Sequence, residues 1–529
     1  MTRAAPRTGT ALAAAPPTPH VGPPDRTGTS QIPALLRLAV PAVLSYALNN
    51  AYRVNDQFWI QGLGGEAQAA IAGTFFVQVM NFAFVFLGVG GTLALVARST
   101  GARDPETRDA FIRHALLFGL ALSGVLALTV LPAIPTIIRW LGLEGTTARH
   151  GVDYLGTVYR FIPALVLFPI LDAIFIGRGN SRVPLLLQSL SVGLNYTLNP
   201  ILIYGADVAS HVDAPGVRWI ASIAAWLGVE GRGMQGAGMA TGISRVLSVS
   251  LGLLILHFGF GTKLTRRPRL RLARFAAIVR IGLPVSISIA VYAGVYWILF
   301  AHVLDRLGDA ARAGLGLGFQ VFEGLAFPCY LGVSIGASSL VGRAIGARDA
   351  EGAWEVVRAG RLVARILGLC FALLFLFAGP FVVPWFTQDP DVSREALVYV
   401  SVLAFSQYWV AVETVNEKVL LGAGFTKPIL WIAPLGNALR VPLGWLFALE
   451  LGGGPAGLWW AINATTLLKA FLFWRKVQGG LWLESALAES AAENANGKPA
   501  PQDAPPLSSP QDHPGKRRDG EPSTTFGVR

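Results

Sequence analysis

Charge is what this sequence has least of. Asp, Glu, Lys and Arg make up 14% of 529 residues, about half the share usual in a soluble protein, which argues against an ordinary cytosolic enzyme. Cysteine is nearly missing: Cys329 and Cys370 are the only two, so a disulfide framework is excluded and no Cys/His cluster has structural zinc spacing. The scattered His114, His150, His211, His257 and His302 form no HExxH or comparable pattern, which leaves no metal site for an enzyme. No G-x-x-x-x-G-K-[ST] loop occurs either, and the polar loops are too short for a nucleotide domain. These absences predict a non-enzyme with no cofactor. The charge that remains is basic, 43 Lys+Arg against 31 Asp+Glu, so anionic lipid and nucleic acid both come into question.

What is present in quantity is uninterrupted apolar sequence. Residues 67 to 97, 115 to 138, 183 to 206, 281 to 304 and 366 to 388 contain no charged residue, and each reaches the roughly 20 residues that span a bilayer. Six further stretches qualify with one to three interior charges: 161 to 177, 233 to 262, 313 to 342, 396 to 421, 428 to 449 and 451 to 474. Residues 33 to 59 qualify with Arg37, Arg53 and Asp56. The runs are continuous rather than alternating, which disfavours a β-barrel. The fold class expected is therefore an all-α integral membrane protein with twelve transmembrane helices.

Placing the N-terminus inside puts seventeen loop Lys/Arg on the cytoplasmic side and seven outside, the asymmetry of the positive-inside rule. Both termini are then cytoplasmic, in the inner (plasma) membrane. The densest basic patch, 263 to 274, reads as lipid headgroup contact and not as a nucleic-acid site. The partners expected are the bilayer and a small substrate, with the protein a monomer. Residues 1–31 and 485–529 are rich in Pro with Ala/Thr or Ser/Asp, compositions that bury no core, and read as disordered tails.

An internal repeat organises the rest. LVARSTGARD at 95–104 and LVGRAIGARD at 340–349 agree at seven of ten positions with an offset of 245. Pro41 and Pro284 pair at 243, Asn195 and Asn437 at 242, and Gly236 and Gly457 at 221. An insertion in the first half, around 206 to 227, accounts for the drop. Six spans separate equivalent points, so the repeats are parallel, related by an axis along the membrane normal. The organisation expected is an N-lobe at 32–262, a basic linker at 263–277 and a C-lobe at 278–478, around a central cavity.

Pro41 with Asp56 fifteen positions later, GLGGEAQAA at 62–70, the two GARD turns, NYTLNP at 195–200, QGAGMATGIS at 235–244 and GFQVFEGLAF at 318–327 resemble the multidrug and toxic compound extrusion (MATE) transporters. The resemblance covers about residues 33 to 478. It implies a V-shaped pair of six-helix lobes and secondary active efflux, in which H⁺ or Na⁺ enters as an organic cation or amphipathic drug leaves. The rival within the same superfamily is a lipid-linked saccharide flippase, which would want several Arg in its cavity; only Arg53, Arg245 and Arg440 lie at depth.

Charges at depth are costly and mark function. The resemblance places an N-lobe coupling site at Asp56, with Asn195, Asn199 and Thr241 as oxygen ligands for a transient Na⁺ or a protonated carboxyl. Some family members carry Asp where this chain has Asn199. Arg53, one turn before Asp56, suits an ion pair better than a proton carrier. In the C-lobe, Glu323 beside Gln320 is the second candidate, with Glu413 as a companion and Arg440 as counter-ion to either acid. Asp172 and Glu417, each five residues before a glycine, read as helix-end acids that are either solvated or paired with Arg178 and Lys418. Pro41 and Pro284 are expected to bend the first and seventh spans as hinges.

Overall fold

The computed structural model describes residues 31–212, 216–264 and 270–497. Among them twelve spans alternate in direction: α1 (Ile32–Leu63), α2 (Gly65–Gly101), α3 (Pro105–Trp140), α4 (Gly145–Arg160 and Ile162–Gly177), α5 (Arg182–Tyr204), α6 (Gly233–Gly259), α7 (Leu272–Leu307), α8 (Asp309–Gly346), α9 (Ala350–Trp385), α10 (Pro390–Gly422), α11 (Lys427–Glu450) and α12 (Gly454–Gln478). A further helix, α13 (Leu481–Gly497), follows. Nine of the spans are long and apolar enough to cross a bilayer, and α4 qualifies as a pair bent by 59°. The break falls at Phe161, just before Pro163 in the first turn of the second half, where proline has no amide to give to a continuous ladder. Helices α5 and α12 have 23 and 25 residues. They are less apolar because they bury Gln188, Asn195 and Asn199, and Thr465, Thr466 and Lys469.

The repeated GARD sequence is a turn with a physical job. Arg103 and Arg348 adopt φ of 54° and 60°, left-handed values that cost a side chain about 1 kcal/mol or more. Each reverses the chain so that the next residue caps a new helix: Asp104 Oδ1 accepts from Thr107 N at 3.0 Å, and Asp349 Oδ1 from Gly352 N at 2.8 Å. The two turns meet. A Cβ on Gly101 would fall 1.9 Å from the Arg343 carbonyl oxygen, and one on Gly346 would fall 1.9 Å from that of Arg98. The contact is therefore backbone against backbone, reciprocal about the repeat axis, as small residues permit between membrane helices.

The same seam continues along α2 and α7, where Gly282 meets Leu87 and Gly91 meets Ile278, and along α1 and α8, where Gly332 meets Val43. Asn50 Nδ2 donates to the Gly324 carbonyl at 2.7 Å at mid-height. Most of these contacts lie toward the basic end of the spans, the end that holds Arg98, Arg103, Arg343 and Arg348. The insertion between α5 and α6 folds into two short helices, Val208–His211 and Val217–Leu227; the second exposes Trp219 and Trp226.

Two expected boundaries move. Helix α7 begins at Leu272, inside the stretch read as linker, because LARFAAIV is apolar enough to pack: Ile278 is fully buried. Residues 485–497, expected to belong to a tail, are helical instead, since α13 reaches Gly497. Its Leu/Ala/Glu composition favours helix, and Trp482, Leu483 and Ala486 are buried, with Trp482 edge-on to Trp354 of α9 at 5.5 Å. Glu489 of α13 accepts from Arg98 Nη1 of α2 at 3.2 Å and also binds Arg280 of α7. The chain divides at this helix into a unit ending at Ser490 and a second beginning at Ala491. The expected tail segments 1–30 and 498–529 lie outside the described residues.

Candidate functional site

Three helices of the N-lobe turn polar faces toward one another. On α1, Asn49, Tyr52 and Asp56 recur at spacings of three and four; on α5, Gln188, Ser191, Asn195 and Asn199 do the same; on α6, Thr241, Arg245 and Ser248 follow. That spacing stacks side chains on one helical face. The faces meet around Asp56, a residue only 6% exposed. Asn199 Nδ2 donates to Asp56 Oδ1 at 2.8 Å and to Asn195 Oδ1 at 3.3 Å, and Asn55 Nδ2 donates to Asn195 Oδ1 at 2.7 Å. Thr241 lies against the same carboxylate. Asn55 Oδ1 and Asn199 Oδ1 are buried acceptors without a hydrogen-bond partner, and the Thr241 hydroxyl and Asn195 Nδ2 are buried without one as well.

The structure thus gathers Asp56, Asn195, Asn199 and Thr241. Arg53 lies in α1 with its side chain outside the described ones. The guanidinium described nearby is Arg245, which donates to Gln188 Oε1 at 3.0 Å and Asn49 Oδ1 at 3.3 Å. It sits 4.7 Å from the Tyr52 ring and 4.2 Å from that of Phe168, while the Tyr52 hydroxyl meets Ser244 Oγ at 2.9 Å.

The C-lobe cluster is assembled differently from the expectation. Glu323 closes a π-helical segment, Gly318–Glu323, within α8, a widened turn of the kind often found at functional sites. Its Oε1 lies 3.5 Å from the Tyr399 hydroxyl, Gln407 and Arg440 also face it, and Gln407 Oε1 in turn accepts from Tyr330 at 3.1 Å. Gln320 is exposed and makes no hydrogen bond to Glu323 among the described residues. Arg440 lies within electrostatic reach of both acids, as expected of a counter-ion, but makes no hydrogen bond to either among the described residues. It donates to Thr465 at 3.3 Å, Thr466 at 3.2 Å and Tyr296 at 3.4 Å, and it lies 5.8 and 5.7 Å from the Tyr292 and Tyr296 ring centroids. Glu413 takes Lys469 of α12 instead, Oε1 to Nζ 2.8 Å, with both residues buried. The ammonium reaches where Arg440 does not, because α12 packs along α10.

Glu417 pairs with Lys418 at 2.6 Å as expected. Asp172 does not pair with Arg178, whose guanidinium donates to Thr262 Oγ1 at 2.6 Å and to the Phe260 carbonyl at 3.2 Å while covering the Phe260 ring. Pro41 and Pro284 lie inside helical stretches that continue through them, Ile32–Ile60 and Leu272–Ile298. The residues missed at the site are Asn49, Tyr52, Asn55, Gln188, Lys469, Tyr399 and Gln407. For the first three the signal was available, since they share a turn or two with Asp56. Lys469 stands as a lone charge in the twelfth span, but its partner depends on which helices pack together.

Two repeated sets of six membrane-crossing helices, each closing on a buried ionic cluster, define a two-lobed polytopic membrane protein of the transporter type. The MatE family profile matches residues 41–201 and 284–446, one segment in each lobe. The chain belongs to this family.

Among similar proteins are the probable multidrug resistance protein NorM of Thermotoga maritima, 23% identical over 86% of this chain and 93% of the relative, and the multidrug export protein MepA of Staphylococcus haemolyticus, 24% identical over 83% and 91%. Among solved structures, an outward-facing multidrug resistance MATE transporter of the MOP superfamily superposes with a TM-score of 0.74 at 22% identity, over 87% of this chain and 97% of that one. A MOP superfamily transporter from Pyrococcus furiosus, described as having a binding pocket of reversed polarity, superposes with 0.74 at 22% identity, over 87% and 96%.

Proposed function

We propose that this protein is a secondary active multidrug efflux transporter, exchanging H⁺ or Na⁺ for small organic cations or amphipathic drugs by alternating access. The observation that carries the reading is Asp56: a buried carboxylate hydrogen-bonded to Asn199 and flanked by the amide oxygens of Asn55 and Asn199, which lack donors. An ionised carboxylate is costly at that depth without a compensating charge. Spare oxygens around it suit a hard monovalent cation or a proton shared within the cluster. Loss of the cation leaves repulsive acceptors, and the lobe reorganises to satisfy them, which couples ion occupancy to lobe conformation. The names of the NorM and MepA relatives support the drug-export part of the reading.

Topology follows from charge. The excess of Lys/Arg at one end supports cytoplasmic termini in the inner (plasma) membrane. With that orientation, the glycine seam closes the cytoplasmic side and substrate leaves from the opposite side. The protein acts as a monomer with lipid and substrate as its partners, without nucleic acid.

The test is uptake of a fluorescent organic cation into inside-out proteoliposomes under an imposed pH gradient and, separately, a Na⁺ gradient. One gradient drives accumulation by the wild type, and Asp56→Asn lowers it by about tenfold or more, as expected for loss of a group that the cycle requires. Undiminished accumulation in both Asp56→Asn and Glu323→Gln refutes the site assignments. If neither gradient moves any dye, lipid-linked saccharide flipping becomes the better reading.

A further inference from the structure

Arg245 stands between two carboxylates and bonds to neither. Its guanidinium covers the rings of Tyr52 and Phe168 at 4.7 and 4.2 Å. Tyr52 lies four residues before Asp56 on α1, and Phe168 lies four residues before Asp172 on α4, so each ring is one helical turn from an acid on its own face. The two helices run in opposite directions. Asp56 is therefore one turn toward the end of the spans away from the basic loops, and Asp172 one turn toward the basic end.

Asp172 lacks the neutralisation its surroundings lead one to expect. The residue is half-buried, with its Oδ1 buried and without a hydrogen-bond partner. The C-lobe residue at the same point of the repeat, Glu417, has Lys418 at 2.6 Å; the residue after Asp172 is Ala173. The groups that face Asp172 are Arg245 from α6 and Tyr46 from α1. Helices α2, α3, α5 and α8 also pack on this half of α4, and none brings it a charged side chain among the described residues. Ser191 Oγ, Ser248 Oγ and Gln188 Nε2, each within one turn of the level of Arg245, are buried without partners as well.

We propose that Asp172 is a second exchange site for the coupling cation, so that a cation held at Asp56 leaves the N-lobe toward the basic end by way of Asp172. The inference rests on the reading of Asp56 as a coupling site. A carboxylate oxygen buried without a donor is costly while it carries charge, and taking a proton or a cation relieves that cost. The fixed guanidinium is shared by the two acids, disfavouring a second cation in the column while one is bound. For a proton, the O–H bond at Asp56 breaks and one at Asp172 forms, with Arg245 charged throughout; Na⁺ only exchanges oxygen ligands.

The experiment uses full-length protein in proteoliposomes, with gradient-driven dye accumulation measured for wild type, Asp56→Asn, Asp172→Asn and Asp172→Glu, each first shown to be monodisperse by size exclusion. Asp172→Asn is expected to lower accumulation about tenfold. Asp172→Glu, which keeps the carboxyl and moves it by one methylene, is expected to retain accumulation with the half-maximal cation concentration shifted about threefold or more. Wild-type accumulation by Asp172→Asn overturns the proposal. So does an unshifted cation dependence in Asp172→Glu, which decides the matter if the Asn variant fails to fold. Failure of Asp56→Asn alone, beside a normal Asp172→Asn, removes the second site and leaves the first; normal accumulation by Asp56→Asn removes the underlying reading.

Discussion

Glu413 and Lys469 illustrate how a single pair is held at depth. Both are buried and their charged atoms are 2.8 Å apart; taking either away strands the other, which costs about 3–5 kcal/mol, whereas replacing both with apolar groups is often neutral. Thermal unfolding in detergent is expected to show Glu413→Ala and Lys469→Ala each strongly destabilised, with Glu413→Leu/Lys469→Met restored near wild type. A double variant as unstable as the sum of the singles would mean the two groups do not act as a pair. Asp56 was legible because depth makes an acid conspicuous, and Asn195, Asn199 and Thr241 followed from the family resemblance, while Asn49, Tyr52 and Asn55, which helical spacing offers, were not read. The partner of Glu413 was not, because no periodicity within one span says which face of another it meets. Arg440 shows the same limit from the other side: three neutral hydroxyls hold it, and neutral partners leave no charge pattern to read.

Helices in this molecule meet where side chains are missing. A Cβ at Gly282 of α7 would lie 1.9 Å from the Leu87 carbonyl oxygen of α2, while at Gly294 on the same helix nothing lies within 4 Å. Gly282→Val is therefore expected to overpack the seam by about 1–3 kcal/mol or more and to lower the unfolding temperature, with Gly294→Val close to wild type. Equal effects would show that helix propensity, not close approach, governs this stretch. Helix α13 belongs to the same scale. Its Ala- and Glu-rich sequence merges into a Pro/Ser-rich stretch and carries little apolar signal of its own; Trp482 becomes an anchor only once Trp354 of α9 stands against it. Truncation after Gly480 is expected to expose Trp354 and lower stability, read out as a red shift in tryptophan emission and a lower unfolding temperature. An unchanged spectrum would mean the contact contributes nothing.

Across the whole molecule, duplication explains most of what the sequence made legible. A turn that needs a left-handed residue, a capping Asp and a glycine facing its twin is a demanding combination, so it persists in both halves as GARD and exposes the parallel repeat. The lobes diverge where their ionic clusters differ: α6 and α12 occupy equivalent places, yet one carries Arg245 on aromatic rings and the other Lys469 on a carboxylate. Divergence of this kind leaves no repeat to follow, which is why the interior was harder to read than the frame. The seam near the basic end, bridged further by Glu489 between Arg98 and Arg280, must part if the cavity is to open at that end. Under the proposed function, alternating access is an exchange between this closed seam and its separation, coupled to cation occupancy of the N-lobe.

The most direct test of that coupling is cation release on drug binding. Purified protein in weakly buffered or Na⁺-tracer solution is mixed with a saturating organic cation, and the H⁺ or Na⁺ liberated per molecule is counted. If Asp56 holds the coupling cation, the wild type releases it on mixing and Asp56→Asn, with the dye still bound, releases none. Release by Asp56→Asn equal to that of the wild type would contradict the account.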